Sequence, residues 1–330
     1  MKSPLDRRVV RLAVLCAALA PAMAPVSASA QAFPSQPIQL IVPWPAGGGS
    51  DTAMRLTADA ASKRFGVPVV VVNRPGAGGT VGIKEAMSSK PDGYTLAMIA
   101  TGAIFAQYNN PNANSLDEME PVVFFGDDPS AITVNLKTGF KNLAELVAYA
   151  KANPGKLKNG NDQPGGSSHV AASMFEKGLG IRLTKVPYAG FAPTVQALLS
   201  GEVDMASIPL PDVIEQHNAG KVRILGVASS ARHFRAPDVQ TFSEQGFPVI
   251  SGLWRVIAAP KGIASDRLKI LEAKFLETLS DKEFQEKARS AGFLVTPRGG
   301  ADAKKRWDDD DRAMYPVFLD AGLVKTRQKR

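Results

Sequence analysis

Short apolar runs, each followed by a glycine-rich loop and a helical stretch, constrain the fold of this chain more than any other feature. Residues 37–43 form the first run, which is bounded by prolines and leads through a glycine loop into a helical stretch over residues 52–65. Residues 67–72 form a second run, rich in valine, which leads into a helix over residues 80–88. Continuous β-branched runs are typical of strands buried on both faces, and their alternation with helices predicts a parallel α/β sheet.

The same cycle of strand, loop and helix restarts in the second half of the chain. Two short strands are predicted between the cycles, at residues 121–125 and 131–134. We expect two α/β lobes that exchange the chain near residues 130 and 245 and meet across a cleft. Ligands of such folds bind outside the carboxyl ends of the strands, so the cleft is the expected site. The predicted organisation is residues 1–30 as an export segment, residues 31–130 with 246–330 as lobe 1, and residues 131–245 as lobe 2.

Residues 1–30 have the three-part order of a secretory signal peptide. A basic region over residues 2–11 precedes an apolar run over residues 12–20, and small residues end at Ala30. A membrane anchor is the alternative, but a spanning helix needs about 20 apolar residues and Pro21 cuts this run short. We therefore expect cleavage near Ala30 and a mature protein that works in the periplasm.

Cys16 is the only cysteine of the chain and lies inside the apolar run. A lipid-attached cysteine follows a small residue, whereas Leu15 is bulky, so the lipoprotein alternative is disfavoured. Removal of the signal peptide leaves no thiol, and hence no disulfide, thiolate metal site or cysteine nucleophile. An oxidising compartment is compatible with such a protein.

The net charge points to a small anionic solute rather than to nucleic acid. The chain carries +8, of which residues 1–30 hold +3, so the mature protein retains +5. This excess suits an anionic solute and is also explained by colloidal stability alone. Nucleic-acid binding needs clustered basic and aromatic residues, and the basic tail over residues 325–330 is more simply a frayed end. The three histidines do not pair at metal-ligand spacing, and no metal or cofactor is expected.

Two glycine loops are candidates for anion binding. The loop over residues 46–51 contains three glycines and leads into a helix, and the loop over residues 164–169 repeats this arrangement with glycines and hydroxyls. A helix start carries unsatisfied N–H donors and about half a positive charge, so it binds anions readily. The alternative is a tight turn, capped in the first loop by Ser50 or Asp51.

Three other features have competing interpretations. Residues 76–82 approach a dinucleotide-binding fingerprint but depart from its glycine spacing, so a structural turn near the cleft is expected. Four consecutive acids at residues 308–311 point in all directions on a helix and are expected to form a solvated face. Arg255 pairs either with a ligand carboxylate or with an Asp or Glu across the hinge between the lobes.

A hydrolase is the main catalytic alternative. Ser168 and His169 would be its nucleophile and base, but residues adjacent in sequence seldom have the required geometry. The chain also lacks a G-x-S-x-G motif. A non-catalytic binding protein is therefore expected, with an exported hydrolase or a ligand-presenting sensor component as the alternatives.

The motifs form a series in fixed order: PAGGGSD, VVVVNRPGAGGTVG, DGYTLAM, a Gly-Gly-Ser-Ser-His loop, VPYAG and LLSGEVDM. From about residue 33 to residue 324, this series resembles the solute receptors of tripartite tricarboxylate transporters, the Bug (Bordetella uptake gene) family of periplasmic binding proteins. The resemblance implies a periplasmic binding protein type II-like α/β fold, with two α/β lobes that close on a carboxylated solute. It also implies a di- or tricarboxylate or an aromatic acid as solute, membrane permease subunits as partners, and a monomer.

The resemblance further implies which residues bind. In the family, the loops that match residues 45–51 and 165–169 hold carboxylate groups through backbone amides, hydroxyls and bridging waters, and the segment that matches residues 188–190 lines the same cleft. Asp204 falls on the family's G-x-V-D motif and is expected to orient loops. The expected ligand-binding residues are Trp44, Pro45, Ala46, Gly47, Gly48, Ser50, Asp51, Thr101, Gly166, Ser167, Ser168, His169, Tyr188, Ala189, Gly190, Asp204 and Arg255.

The chain departs from the family pattern at the cleft, which leaves the identity of the solute open. Trp44 replaces the commoner Phe, and residues 161–164 and 207–210 differ from the usual runs. Trp254 and Arg255 look like the tricarboxylate branch of the family, although Val256 replaces the usual glycine.

Overall fold

The computed structural model describes residues 33–164, 166–320 and 322–326. The predicted signal peptide, Gly165 and most of the basic tail lie outside the described residues. Residues from Gln36 onward pack as one unit. Within the described ranges, no helix combines the length and the apolarity needed to cross a membrane.

Three parallel strands form the amino-terminal part of the sheet. Its elements are β1 (Ile38–Val42), α1 (Gly49–Phe65), β2 (Val69–Asn73), α2 (Thr80–Met87), β3 (Thr95–Ala100) and α3 (Thr101–Asn109). β1 lies between β2 and β3, with Ile38 opposite Val69 and Gln39 opposite Thr95. All residues of β1 except Gln39 are buried, as expected for a strand with both faces covered.

One long strand, β4 (Met119–Asn135), runs through both halves of the molecule. Its first part pairs antiparallel with β9 (Gly252–Pro260) up to Pro129, which lies opposite Gly252. From Ser130 onward it pairs with β7 (Met205–Pro209) instead. The two separate short strands predicted here are therefore wrong. The segment from Gly126 to Pro129 has turn-forming residues, but hydrogen bonding to neighbouring strands keeps it extended.

The second half repeats the strand and helix alternation around a second group of parallel strands. Its elements are α4 (Leu143–Ala152), β5 (Lys158–Asp162), α5 (Ser167–Leu179), β6 (Thr184–Tyr188), α6 (Phe191–Ser200), β7, α7 (Ile214–Asn218) and β8 (Val222–Val227). β5 lies parallel between β6 and β7, whereas β8 is antiparallel to β4. The sheet is therefore mixed, with the predicted parallel pairing confined to β1–β3 and β5–β7.

The carboxyl-terminal elements return to the first half. They are α8 (Ser265–Ser280), α9 (Lys282–Ser290), β10 (Val295–Gly299) and α10 (Gly300–Asp320). Trp307 of α10 stacks on Trp254 of β9, with ring centroids 6.1 Å apart. Each half has its own apolar core, with Phe124 in the first and Phe175 in the second.

This architecture has the two α/β halves of the expected fold class. The residue boundaries predicted for the lobes stay a prediction. The sequence does not predict α3, β5 or β10. β5 reads Lys-Asn-Gly-Asn-Asp and has no apolar signal; its polar side chains are satisfied internally, since Asn159 accepts a hydrogen bond from Ser207 and Asn161 donates to the carbonyl of Asp162.

Candidate functional site

Loops from the two halves meet at the carboxyl ends of the parallel strands. A β carbon placed on Gly102, at the start of α3, would lie 2.7 Å from the backbone nitrogen of Ser167, at the start of α5. A β carbon on Gly190 would lie 3.2 Å from Cδ of Pro45. These glycines allow the two halves to approach closely, and the loops that contain them lie at one cleft.

The start of α1 is bonded to a carboxylate from the second half. Gly48 is the N-cap, without a side-chain cap, and the Gly49 N–H donates to Oδ1 of Asp212 at 2.6 Å. Asp212 ends the short 3-10 helix that follows β7. The helix begins three residues earlier than predicted, so Ser50 and Asp51 lie in its first turn and neither caps it.

The Asp51 carboxylate is hydrogen bonded to residues of its own half. Its carboxylate accepts the N–H of Gly47 at 3.0 Å, an amide N–H of Asn73 at 2.9 Å and an ion pair from Arg55 at 2.9 Å. Burial raises the pKa of Asp51, but these hydrogen bonds outweigh it and hold the pKa below its ordinary value. Asp51 therefore shapes the loop over residues 46–51.

The backbone N–H groups at the start of α5 also donate to a carboxylate of this chain. Asp162, at the end of β5, accepts the backbone N–H of His169 at 2.9 Å and, more weakly, that of Ser168 at 3.4 Å. A β carbon on Gly166 would lie 2.1–2.3 Å from the Asp162 carboxyl group, so this position requires glycine. Burial raises the pKa of Asp162 to about 6, against the opposing effect of the hydrogen bonds from His169 and Ser168.

Ser168 and His169 are not arranged as a nucleophile and a base. Ser168 Oγ accepts the backbone N–H of Asp162 at 2.7 Å. His169 Nδ1 is buried without a hydrogen-bond partner, and burial, followed by the nearby charge of Lys185, lowers its pKa to about 4. Near neutral pH the imidazole is therefore uncharged, and Ser168 does not hydrogen bond to its buried nitrogen.

Arg255 pairs with a carboxylate across the adjacent strand. It is fully buried and forms an ion pair with Asp128 of β4. Its partner is therefore a carboxylate of this chain, but both residues lie in the first half, so the pair does not span the hinge. Its Nε lies 3.4 Å from Oγ of Ser50, and its Nη2 is buried without a partner. Burial lowers the Arg255 pKa to about 9. Nearby, Thr101 Oγ accepts the backbone N–H of Trp254 at 3.0 Å.

A cavity of about 420 Å³ opens between the halves. Four of the predicted ligand-binding residues line it, Trp44, Tyr188, Ala189 and Gly190, together with the second glycine loop and several polar residues that the sequence does not predict. The predicted residues at the starts of α1 and α5, Thr101, Asp204 and Arg255 are not among its described lining residues. The described lining residues are Pro43, Trp44, Gly76, Ala77, Gly78, Gly79, Asn109, Asn110, Pro111, Asp162, Gln163, Pro164, Tyr188, Ala189 and Gly190. None of them is a lysine or an arginine, so any anion here depends on neutral donors.

The cavity wall is held in place by internal hydrogen bonds. Tyr188 donates its hydroxyl to Glu202 at 2.7 Å, and burial together with Glu202 raises the Tyr188 pKa to about 12. Asn110 donates to Oγ1 of Thr80 at 3.0 Å, which ties the end of α3 to the start of α2.

Asp204 is not brought to this cleft. Its carboxylate accepts the backbone N–H of Lys158 at 2.8 Å, at the amino end of β5, whereas the cleft lies at the carboxyl end beyond Asp162. The acidic run over residues 308–311, on α10, is also absent from the described cavity lining. Asp308 and Asp309 pair with lysines four residues earlier.

Sequence reasoning missed Asp162 and Asp212 as cleft residues. The available signal is their position along the chain, since Asp162 is the last residue of β5 and Asp212 comes three residues after the end of β7. The carboxyl ends of parallel strands converge on the ligand side of such sheets. The glycine loops alone predict anion binding and give no indication of these two carboxylates.

Comparisons with known proteins agree with this architecture. The profile of the tripartite tricarboxylate transporter family receptor, TctC, matches residues 53–312. The protein BugT of Bordetella pertussis is 33% identical over 308 residues, which cover 90% of this chain and 94% of BugT. The solved structure of the periplasmic binding protein BugD has a TM-score of 0.84 at 29% identity, covering 89% of this chain and all of that chain.

A solved structure with a ligand is also similar. Rpa4515 of R. palustris, determined with adipate, has a TM-score of 0.83 at 25% identity, covering 88% of this chain and 98% of that chain. The profile match spans most of the chain and the relatives align over nearly all of it. The chain therefore belongs to the TctC family of tripartite tricarboxylate transporter receptors, which includes the Bug proteins.

Proposed function

We propose that this chain is a periplasmic receptor that captures a small carboxylate and delivers it to the membrane subunits of a tripartite tricarboxylate transporter. The cavity between the halves carries the proposal, since Trp44 lines it from the first half and residues 188–190 line it from the second. A volume of about 420 Å³ lies in the range of small-molecule sites. The adipate complex of Rpa4515 supports an organic acid as ligand.

The expected affinity fits such a site without a lysine or arginine on the cavity wall. A hydrogen bond to a charged group contributes about 1.5–3 kcal/mol, and a small acid that receives several of them must still offset the loss of its own freedom. Five or six such hydrogen bonds give about 8–18 kcal/mol before these costs are subtracted, which is compatible with the −8 kcal/mol or so of micromolar binding.

We further propose that the protein is not an enzyme and acts as a monomer after its signal peptide is removed near Ala30. The relation of Ser168 to His169 supports the first point, because the buried Nδ1 of His169 is not bonded to the hydroxyl. A hydrolase would need that nitrogen, or the other one, to accept the serine proton.

Isothermal titration of the mature protein with succinate, adipate, citrate and benzoate tests the proposal. We expect at least one of these acids to bind with micromolar affinity. Trp44→Ala should weaken that binding at least tenfold, because Trp44 lines the cavity, while the exposed Asp238→Asn variant should bind as the wild type does. Failure of all four acids and of a wider acid panel would contradict the proposed function.

Transport is tested separately in cells. Deletion of neighbouring permease genes should abolish uptake of the acid that binds in vitro. Unchanged uptake after the deletion would contradict the proposed partner and favour a sensor role.

A further inference from the structure

Another cavity, of about 530 Å³, opens where β4 passes from the first half to the second. We call it the junction groove. It is lined by residues 127–129 of β4, residues 228–234, residues 250–252 and the side chains of Arg289, Leu294 and Arg306. The described lining residues of this groove and of the cavity at Trp44 do not overlap. Its volume lies in the range of small-molecule sites, so the groove can hold a ligand of that size.

Backbone contacts fix the walls of the junction groove. A β carbon on Gly126 would lie 2.5 Å from the carbonyl oxygen of Leu294, and one on Gly252 would lie 2.9 Å from a carbonyl oxygen of β4. The loop from the second half is tied to the same strands, since Ser251 donates its N–H to the carbonyl of Ala228 at 2.9 Å. The groove therefore belongs to the packed part of the fold.

Exposed apolar side chains lie together in this groove. Ile250 is 62% exposed and Leu294 is 47% exposed, and both line the groove together with the partly exposed Phe234. Single exposed apolar residues are normal on a protein surface, whereas several that share one surface mark a binding site. A ligand with an apolar part would remove these side chains from water.

Arg289 brings a positive charge to the same groove. Its side chain is exposed, and its guanidinium lies over the ring of Phe234, 4.0 Å from the centroid. It forms no ion pair with any carboxylate of the described residues, although Glu286 lies three residues earlier on α9. Arginine presents several N–H donors whose geometry matches a carboxylate or a similar anion. An anionic group of a ligand would therefore find its partner at Arg289.

The other charged groups of the groove are compensated within the chain. Burial, above all, lowers the pKa of His233 to about 4, so this side chain is uncharged near neutral pH. The remaining charged lining residues form ion pairs, which are Arg306 with Asp127, Arg232 with Glu244, and Asp128 with Arg255. The charge that the groove offers to a ligand is therefore positive and comes from Arg289.

We propose that the junction groove is a second binding site of this protein, for an amphipathic organic anion whose apolar part packs on Ile250 and Leu294 and whose acidic group pairs with Arg289. Both halves contribute to the site, since residues 228–234 follow β8 of the second half and Arg289 belongs to α9. The site accepts one acidic group because it offers one uncompensated cation. The inference does not depend on the proposed function, which concerns the cavity at Trp44.

Fluorescence titration with 8-anilinonaphthalene-1-sulfonate, an aromatic sulfonate, tests the proposal. Arg289→Gln and Ile250→Ser should each weaken the binding of this probe about fivefold, through loss of a charge-assisted contact and of apolar contact, and Arg289→Lys should recover part of the loss. Arg182→Gln removes the same charge from an exposed position outside the groove and should bind the probe as the wild type does. Trp44→Ala should also leave the affinity unchanged, because Trp44 lines the other cavity.

A matched pair of competitors tests the charge requirement. 4-Phenylbutanoate and 4-phenylbutanamide have the same apolar part and differ in the charge of one end. The acid should displace the probe from the wild type at a concentration about fivefold lower than the amide does, and Arg289→Gln should remove this difference. Added sodium chloride should weaken the acid and not the amide, because an exposed ion pair is screened by salt.

Several results would overturn the proposal. These are absence of probe binding to the wild type, unchanged binding in both Arg289→Gln and Ile250→Ser, or equal displacement by the acid and the amide. Loss of probe binding in Trp44→Ala alone would place the probe in the other cavity. Light scattering tests a second copy of the chain as occupant, and a wild-type dimer that Ile250→Ser dissociates would also contradict the proposal. Circular dichroism establishes that the variants are folded, and none of these results bears on the titrations that test the proposed function.

Discussion

Replacement of Asp212 by Asn should remove a specific dependence of stability on pH. Burial raises the Asp212 pKa from 3.8 to about 7, although the hydrogen bond from Gly49 opposes the change. Asparagine keeps an oxygen that can accept this hydrogen bond and removes only the titration. The two proteins should therefore differ in how their free energies of unfolding change with pH.

The sign follows from the two pKa values. In the unfolded chain the carboxyl loses its proton near pH 3.8, while the folded protein holds the proton until about pH 7. Between these values the unfolded state binds fewer protons than the folded state, so the stability of the wild type falls as pH rises. Below pH 3.8 both states are protonated, and above pH 7 both are ionised, so the difference is constant outside this window.

The magnitude is set by the size of the pKa change. About three units at 1.36 kcal/mol per unit give about 4 kcal/mol. Asp212 is partly exposed although Oδ2 is buried, so solvent screening reduces the effect to about 2–4 kcal/mol. Relative to the wild type, Asp212→Asn should gain this much stability between pH 4 and pH 8.

Urea unfolding followed by circular dichroism at pH 4, 5, 6, 7 and 8 measures the effect in both proteins. The raised Asp162 pKa contributes equally to both proteins and cancels in the difference. Asp238→Asn is the matched control and should show no relative gain. Equal pH profiles for the wild type and Asp212→Asn would refute the assignment of a raised pKa to Asp212, and a gain toward low pH would refute its sign.

Three further variants test other parts of the site. Arg255→Met should lower the free energy of unfolding by about 3–5 kcal/mol, because it leaves the Asp128 charge buried and unpaired. Adding Asp128→Leu should recover most of the lost stability in urea unfolding, and additive losses would contradict the pairing. Gly166→Ala should lower the free energy of unfolding by about 1–3 kcal/mol, because its β carbon overlaps the Asp162 carboxyl group. Adding Asp162→Ser to the same chain should relieve the loss in thermal melts, whereas independent losses would show that the two residues do not touch. Trp44→Phe should abolish the fluorescence change that accompanies ligand binding, because the other two tryptophans are buried away from the cavity wall; a retained change would place the reporter elsewhere.

The parallel core of the fold could be predicted from the sequence because its signal is local. The apolar run of β1 is buried, and both it and the valine-rich run of β2 lead through glycine loops into helices. The expected burial of β2 on both faces is wrong, because β2 is an edge strand and Val70 is exposed. β5 could not be predicted in this way, since its asparagines become a strand only through pairing with β6 and β7. The sequence predicts two strands in place of β4, because its central residues favour a turn. Strands from elsewhere in the chain hold these residues extended.

The sequence predicts the glycine loops near the site, but it does not predict the carboxylates that bond to their helix starts. The glycine loops over residues 46–51 and 164–169 each precede or contain a helix start, at Gly49 and Ser167, and Tyr188 lies on the cavity wall. The sequence did not reveal that Asp212 reaches Gly49, because 163 residues separate them and only the tertiary fold brings them together. A helix start whose N–H groups look available in the sequence can therefore already be hydrogen bonded to a distant carboxylate of the same chain.

The crossing of β4 between the halves has a mechanical consequence. At this point Pro129 lies opposite Gly252, and the next residue, Ser130, lies opposite Pro209. Proline has no N–H to donate, and glycine lacks a side chain to pack. We therefore expect the sheet to resist bending least at this crossing, so that the two halves would rotate about it while each keeps its own core.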